Sequence, residues 1–161
     1  MLWAKVNEEE DFPMKVLIAT DGSDYSQRAL GLMKEYLPAS ADDVILVNVS
    51  PNPNMGAIGI VGPPYIDYAA LADQLRAEAQ AILERGGAEL ERQGFKPRLI
   101  FREGDPATEI LEIAQSEGVG LIVVGSHGRT GVRRFLLGSV SDKITTHAPC
   151  SVLVIKHLQS S

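Results

Sequence analysis

The residues best suited to chemistry lie between 125 and 139, where the chain reads GSHGRTGVRRFLLGS. Gly125, Gly128 and Gly138 followed by Ser139 give the spacing G-x2-G-x9-G-S, with Gly131 as a further glycine inside it. Phosphate oxygens need donors at close range. Glycines let backbone amides approach without a Cβ in the way and let a loop curl through positive φ. A helix opening at Gly138-Ser139 would present free amides and the positive end of its dipole, and Ser139 and Ser141 would add hydroxyl donors. The pattern predicts an anion cradle. The plainer alternative, glycines that only shape a loop, would suit a lone pair better than three glycines followed by Gly-Ser at a helix start. No GxxxxGK[ST] and no GxGxxG after the first apolar run is present, so neither a P-loop lysine nor the usual dinucleotide fingerprint exists here.

Other reactive types carry less. Asp21 closes an apolar run, where its carboxylate suits ribose hydroxyls or a magnesium ion held through water; its other role is turn formation in DGS. His127 has no carboxylate partner in sequence, so its backbone matters more than its ring. Arg129, Arg133 and Arg134 form a cationic cluster fit either to clamp phosphate or to face solvent. Ser139 is not in a G-x-S-x-G elbow, which argues against a nucleophile. Cys150 reads as a small apolar residue, and with His147 it cannot complete a zinc site.

These residues must be held by a frame. Five strand-length apolar runs occur at 15–20, 43–49, 98–103, 121–125 and 151–156, and their near-continuous apolarity predicts strands covered on both faces. Between them the spacing predicts four helices. The first runs from Asp24, with Gln27 completing a D-x-x-Q capping box, to the residue before Pro38. The second carries Leu71, Leu75, Ala79, Ile82, Gly86 and Leu90 on one face and ends near Gly94; Gly86-Gly87 predicts either close packing or a bend. The third opens at Asp105-Pro106 and stops toward Gly118, and the fourth covers 138–147. Alternating strands and helices with right-handed crossovers predict an α/β fold, an open doubly wound parallel sheet whose ligands gather outside the carboxyl ends of the strands.

At 161 residues the chain predicts one domain, at 14–157, between an acidic leader at 1–13 and a tail at 158–161. A net charge of −6 and a pI near 5.0 remove the basic footprint of nucleic-acid binders and of proteins drawn to anionic membranes. The leader has no basic-then-apolar signal pattern, one cysteine fits a reducing compartment, and no apolar run reaches membrane length, so the expected address is cytoplasmic. The segment 50–67 holds four prolines and three glycines in 18 residues at the ligand edge and is expected to act as a partial lid or a subunit contact.

Taken together, GSHGRTG…LGS, the opening KVLIATDGS and the closing APCSVLVIK resemble the universal stress protein family, in its ATP-binding branch, over about residues 14–157. The resemblance implies a five-stranded parallel sheet in the order 3-2-1-4-5 and helices on both faces. It further implies a bound adenine nucleotide (ATP, or ADP or AMP), beside which Asp21 is the place for a magnesium ion if one accompanies it, frequent homodimers, and a regulatory stress role read by a signalling partner, with at most slow hydrolysis. Carried over by position, adenine and ribose contacts fall on Ala19, Thr20, Asp21 and the backbone of Val49. Ribose and phosphate contacts fall on Gly125, Ser126, His127, Gly128, Arg129, Thr130 and Gly131 and on Gly138, Ser139, Val140 and Ser141. The rival is an adenine-nucleotide hydrolase or transferase using the same loop; the missing P-loop lysine and the absence of any acid between Gly125 and Ser141 weigh against rapid phosphoryl transfer. In the implied strand order 151–156 is an edge whose apolar run carries little protection, so a homodimer through this strand is expected.

Overall fold

The computed structural model describes residues 14–37, 41, 43–52, 67–126 and 137–156. Expectations for the leader, for the 158–161 tail and for 53–66 within the long loop lie outside these residues. Five strands, β1 Lys15–Ala19, β2 Asp43–Ser50, β3 Arg98–Glu103, β4 Leu121–Gly125 and β5 Ser151–Ile155, form one sheet in the order β3-β2-β1-β4-β5. Every pairing is parallel, as the alternation of elements predicts. Side chains alternate along each strand and so build two cores. Val16, Ile18, Val44 and Leu46 face Ala29, Leu30, Met33, Leu83 and Leu90 on one side. Leu17, Ile45, Val47 and Ile122 face Ala107, Ile110, Ile113 and Ile144 on the other. Helices therefore cover both faces, and no helix among the described residues is long and apolar enough to cross a membrane.

The first predicted helix is two helices, α1 Asp24–Gly31 and α2 Met33–Tyr36. Its cap is Ser23, not Asp24: Ser23 is extended, and its hydroxyl accepts from the Ser26 amide at 3.3 Å while its carbonyl accepts from the Gln27 amide at 2.9 Å. Asp24 thus stands inside the first turn and the D-x-x-Q box does not form. The break at Leu32 has a partner from elsewhere in the chain. The Gln93 carboxamide donates to the Leu30 carbonyl at 2.8 Å and accepts from the Lys34 amide at 2.9 Å, serving backbone groups that an unbroken helix would pair internally.

The long helix α3, Tyr68–Arg92, starts at the Asp67 cap and passes through Gly86-Gly87 without interruption. Close packing is the reason for the glycines. A Cβ on Gly86 would lie 2.8 Å from Leu46 Cδ2 and 3.1 Å from Leu30 Cδ1, and one on Gly87 3.1 Å from Leu99 Cδ2. Helix α4, Pro106–Glu117, has the predicted Asp105 cap and first-turn proline and ends on Gly118, whose φ of 65° is left-handed. Helix α5, Ser139–His147, completes the set.

At the amino edge of the sheet, charged residues from four elements meet. Arg98, the first residue of β3, grips Glu117 at the end of α4 with two bonds of 3.1 and 2.7 Å. Lys15, the first residue of β1, lies 3.4 Å from Glu117 and 3.2 Å from Asp43, the first residue of β2. The Arg98 hydrogen bond, with Lys15 behind it, holds the Glu117 carboxyl down at about 2. A folded value below the unfolded value of 4.5 means stability that is complete above about pH 4.5 and lost as pH falls through about 2. In Glu117→Gln, urea unfolding at stepped pH is expected to show a flatter acid limb between those values than the wild type; superimposable limbs would contradict the assignment.

Candidate functional site

A cavity of about 430 Å³ opens at the carboxyl edge of the sheet, within the size range of small-molecule sites. Ala19, Thr20 and Asp21 line it after β1, Val47 to Pro51 at the end of β2, and Val124 and Gly125 at the end of β4. Leu75, Glu78, Ala79 and Ile82 of α3 form one wall, and Pro106 and Ile110 of α4 with Gly138, Ser139, Val140 and Ser141 at the start of α5 form the other. The cavity thus straddles the sheet, reached by helices from both faces.

Nine of the residues singled out from sequence line this cavity together: Ala19, Thr20, Asp21, Val49, Gly125, Gly138, Ser139, Val140 and Ser141. Ser126 does not. It is buried beside the wall, where its amide donates to the Ile155 carbonyl at 2.9 Å and its carbonyl accepts from the Gly138 amide at 2.8 Å, so it ties β4, β5 and the entry to α5 together. His127, Gly128, Arg129, Thr130 and Gly131, with Arg133 and Arg134, lie outside the described residues. Cys150 packs against the core beneath α4 and α5, and burial pushes its thiol up from the ordinary value, in keeping with an apolar role.

The nucleus of the site is a buried polar chain at the end of β1. The Asn48 carboxamide donates to the Thr20 carbonyl at 2.8 Å, and the Thr20 amide donates to the Val47 carbonyl at 2.9 Å. The Thr20 hydroxyl donates to Ser26 Oγ at 3.1 Å, which donates on to the Ser23 carbonyl at 3.0 Å. Asp21 serves the turn as well as the cavity, since Oδ1 accepts from the Ser23 amide at 3.0 Å. Gly22 is required for two reasons: its φ is 76°, and a Cβ there would stand 2.7 Å from Ile82 of the cavity wall.

Helix amino ends decide where an anion can sit. Ser23, Asp67 and Asp105 cap α1, α3 and α4 with their side chains. The amino end of α5 has no side-chain cap, and its cap residue Gly138 adds no Cβ. Its first amides therefore open into the cavity with the helix dipole behind them. Ser139 is exposed at this opening. The Ser141 hydroxyl, also at this end of the cavity, donates to the Gly125 carbonyl at 2.6 Å, which locks α5 to the end of β4.

Sequence reasoning missed Asn48, Ser26 and the α3 wall. Asn48 had a signal, a carboxamide inside the apolar run VILVNV, whereas Leu75, Ala79 and Ile82 follow the same spacing as ordinary core contacts.

The model of the Universal stress protein family matches residues 14–156. Universal stress protein MJ0531 of Methanocaldococcus jannaschii is 34% identical over 155 residues, covering 94% of this chain and 86% of that protein. The solved structure of MJ0577 from the same organism superposes with a TM-score of 0.76 at 34% identity, covering 92% of this chain and 99% of that one. More distant solved structures share the fold. One is an Archaeoglobus fulgidus universal stress protein in complex with dAMP, with a TM-score of 0.61 at 22% identity, covering 89% of this chain and 98% of that one. Another is a family protein of Arabidopsis thaliana with AMP bound, with a TM-score of 0.63 at 22% identity, covering 91% of this chain and 94% of that one.

Asn48→Leu removes the donor to the buried Thr20 carbonyl, and a lost buried partner costs about 1–3 kcal/mol. Urea unfolding is expected to show a destabilisation of that size; a variant as stable as the wild type would show that this bond does not hold the β1 turn.

Proposed function

We propose that this chain, which belongs to the universal stress protein family, binds an adenine nucleotide in the cavity at the carboxyl edge of its sheet and acts as a nucleotide-dependent regulator. The observation that carries this reading is the uncapped amino end of α5, opening into the same cavity as Asp21. The donor set fits the parts of a nucleotide. Val47, Val49, Ile82 and Val124 offer an apolar slot for a flat base, the Val49 backbone can pair with its edge, and Asp21 can accept ribose hydroxyls. The amides of Ser139 and Val140 suit the α-phosphate. The AMP and dAMP complexes of the distant family members lend support to an adenine ligand.

Our reading extends to ATP, with Gly128 and Gly131 meeting the outer phosphates and magnesium accompanying them near Asp21. The sequence has no P-loop lysine and no acid between Gly125 and Ser141, so we assign slow turnover or none. We also assign a homodimer. β5 pairs only with β4 among the described residues, and its Val152, Leu153 and Val154 are part exposed at the sheet edge.

Protein purified without added ligand and then denatured is expected to release an adenine nucleotide. Calorimetry should give tighter binding of ATP than of GTP, with Gly138→Val weakening ATP by about tenfold through the added branched bulk at the cradle. Unchanged affinity in Gly138→Val would remove the α5 assignment, equal affinity for GTP would remove the adenine assignment, and ATP loss near about 10 per second would make the chain an enzyme. Light scattering at micromolar concentration is expected to give twice the chain mass; a monomer mass would remove the dimer.

A further inference from the structure

The β1–β2 ladder stops short at the cavity. The two strands pair as far as Ala19 opposite Val47, and the next rung, from the Thr20 amide to the Val47 carbonyl, is present at 2.9 Å. In a parallel ladder evenly spaced bonds run alternately in each direction, so the following rungs would join the Val49 amide to the Thr20 carbonyl and the Gly22 amide to the Val49 carbonyl. Among the described residues neither rung forms.

Side chains hold the groups that Val49 would otherwise meet. The Asn48 carboxamide donates to the Thr20 carbonyl at 2.8 Å, and the Thr20 hydroxyl accepts from the Gly22 amide at 3.4 Å. Asn48 and Thr20 are each 4% exposed, so this exchange of partners is made away from bulk water, where such bonds are strong. On its other side β2 continues in register: Ser50 lies opposite Glu103 of β3, and its carbonyl accepts from the Gly104 amide at 2.9 Å. Backbone groups alternate in direction along a paired strand, so those of Val49 point away from β3, past the end of β1, into the cavity that Val49 lines.

We propose that Asn48 is the positioning residue of the base subsite: by taking the Thr20 carbonyl it ends the ladder early and reserves the Val49 amide and carbonyl for the ligand. The proposal rests on the adenine-nucleotide reading above and deepens it. An amide and a carbonyl on one residue match the acceptor N1 and the 6-amino donor of adenine, whereas guanine presents a donor at N1 and an acceptor at O6. Asn48 therefore acts on the base through Val49 and leaves the phosphate end of the site alone.

Native-state amide exchange followed by NMR reads the reserved rung directly. In the free wild type the Val49 amide is expected to exchange about tenfold or more faster than the laddered Val47 amide, and AMP should slow it. In Asn48→Leu the Thr20 carbonyl loses its donor and takes the Val49 amide, which offsets part of the lost stability. Val49 should then exchange more slowly than in the wild type although the protein is less stable, with AMP weakened by about tenfold and ribose 5-phosphate, which has no base, by less than about twofold. A side chain that only braced the turn would speed Val49 exchange and weaken both ligands alike. Asn48→Ser, whose shorter side chain withdraws the donor, carries the same expectations and serves if the leucine variant does not fold. A Val49 amide as protected as Val47 in the free wild type, AMP that binds without slowing it, unchanged or faster Val49 exchange in the variant, or equal losses or none for the two ligands would each overturn the proposal while leaving nucleotide binding intact. A wild type that binds neither ligand would overturn the nucleotide reading and this proposal with it.

Discussion

All five strands point the same way, and that single constraint arranges the rest of the molecule. Parallel neighbours cannot be joined by tight turns, so each connection must cross the sheet and return, and a helix on the way back begins near the edge where the strands end. The carboxyl ends of β1, β2 and β4 and the amino ends of α4 and α5 therefore converge, together with the first half of α3. Because β1 connects toward β2 on one side while β4 lies on its other side, the crossovers part there and leave a crevice between the two helical layers. The cavity exists because of topology; side chains determine only its shape and charge.

Within that crevice, what matters chemically is which backbone groups are already engaged. Ser23, Asp67 and Asp105 satisfy the first amides of three helices, and Pro106 removes one more donor from α4. Gly138 leaves those of α5 without a side-chain cap. The same helix is held at its start by Ser141 to Gly125 and by the Gly138 amide to Ser126, so the open amides sit on a fixed element. Preorganised donors of this kind need no rearrangement to meet an anion. The buried Asn48–Thr20–Ser26 chain does the equivalent for the opposite end of the cavity, fixing the turn that carries Asp21.

Features with a local cause were legible from the amino acids. Asp105-Pro106 and Gly118 bracket α4 because capping, proline geometry and left-handed φ are properties of single positions, and the five apolar runs fall on the five strands for a similar reason. Three things were not legible. The choice of Ser23 over Asp24 as cap turned on a one-residue difference in where the extended backbone stops, and both side chains are good caps. The break at Leu32 depends on Gln93, some sixty positions further along the chain, and nothing nearby announces it. The wall formed by Leu75, Ala79 and Ile82 escaped notice because a residue facing a cavity and a residue facing a core obey the same helical period. Gly86-Gly87 lay between these cases: the sequence narrowed the pair to close packing or a bend, and the neighbours Leu46, Leu30 and Leu99 decided it.

The Lys15, Asp43, Arg98 and Glu117 cluster fastens the starts of three strands and the end of α4 at the edge opposite the cavity, and this division of labour bears on how such a protein can diverge. A sheet bound at one edge like the spine of a book keeps its pages aligned whatever is written on the free edge. Insertions, deletions or exchanges in the loops around the crevice leave those four residues and their bonds untouched. The frame can therefore tolerate extensive rewriting of its ligand-facing segments, and descendants with different appetites can share one architecture.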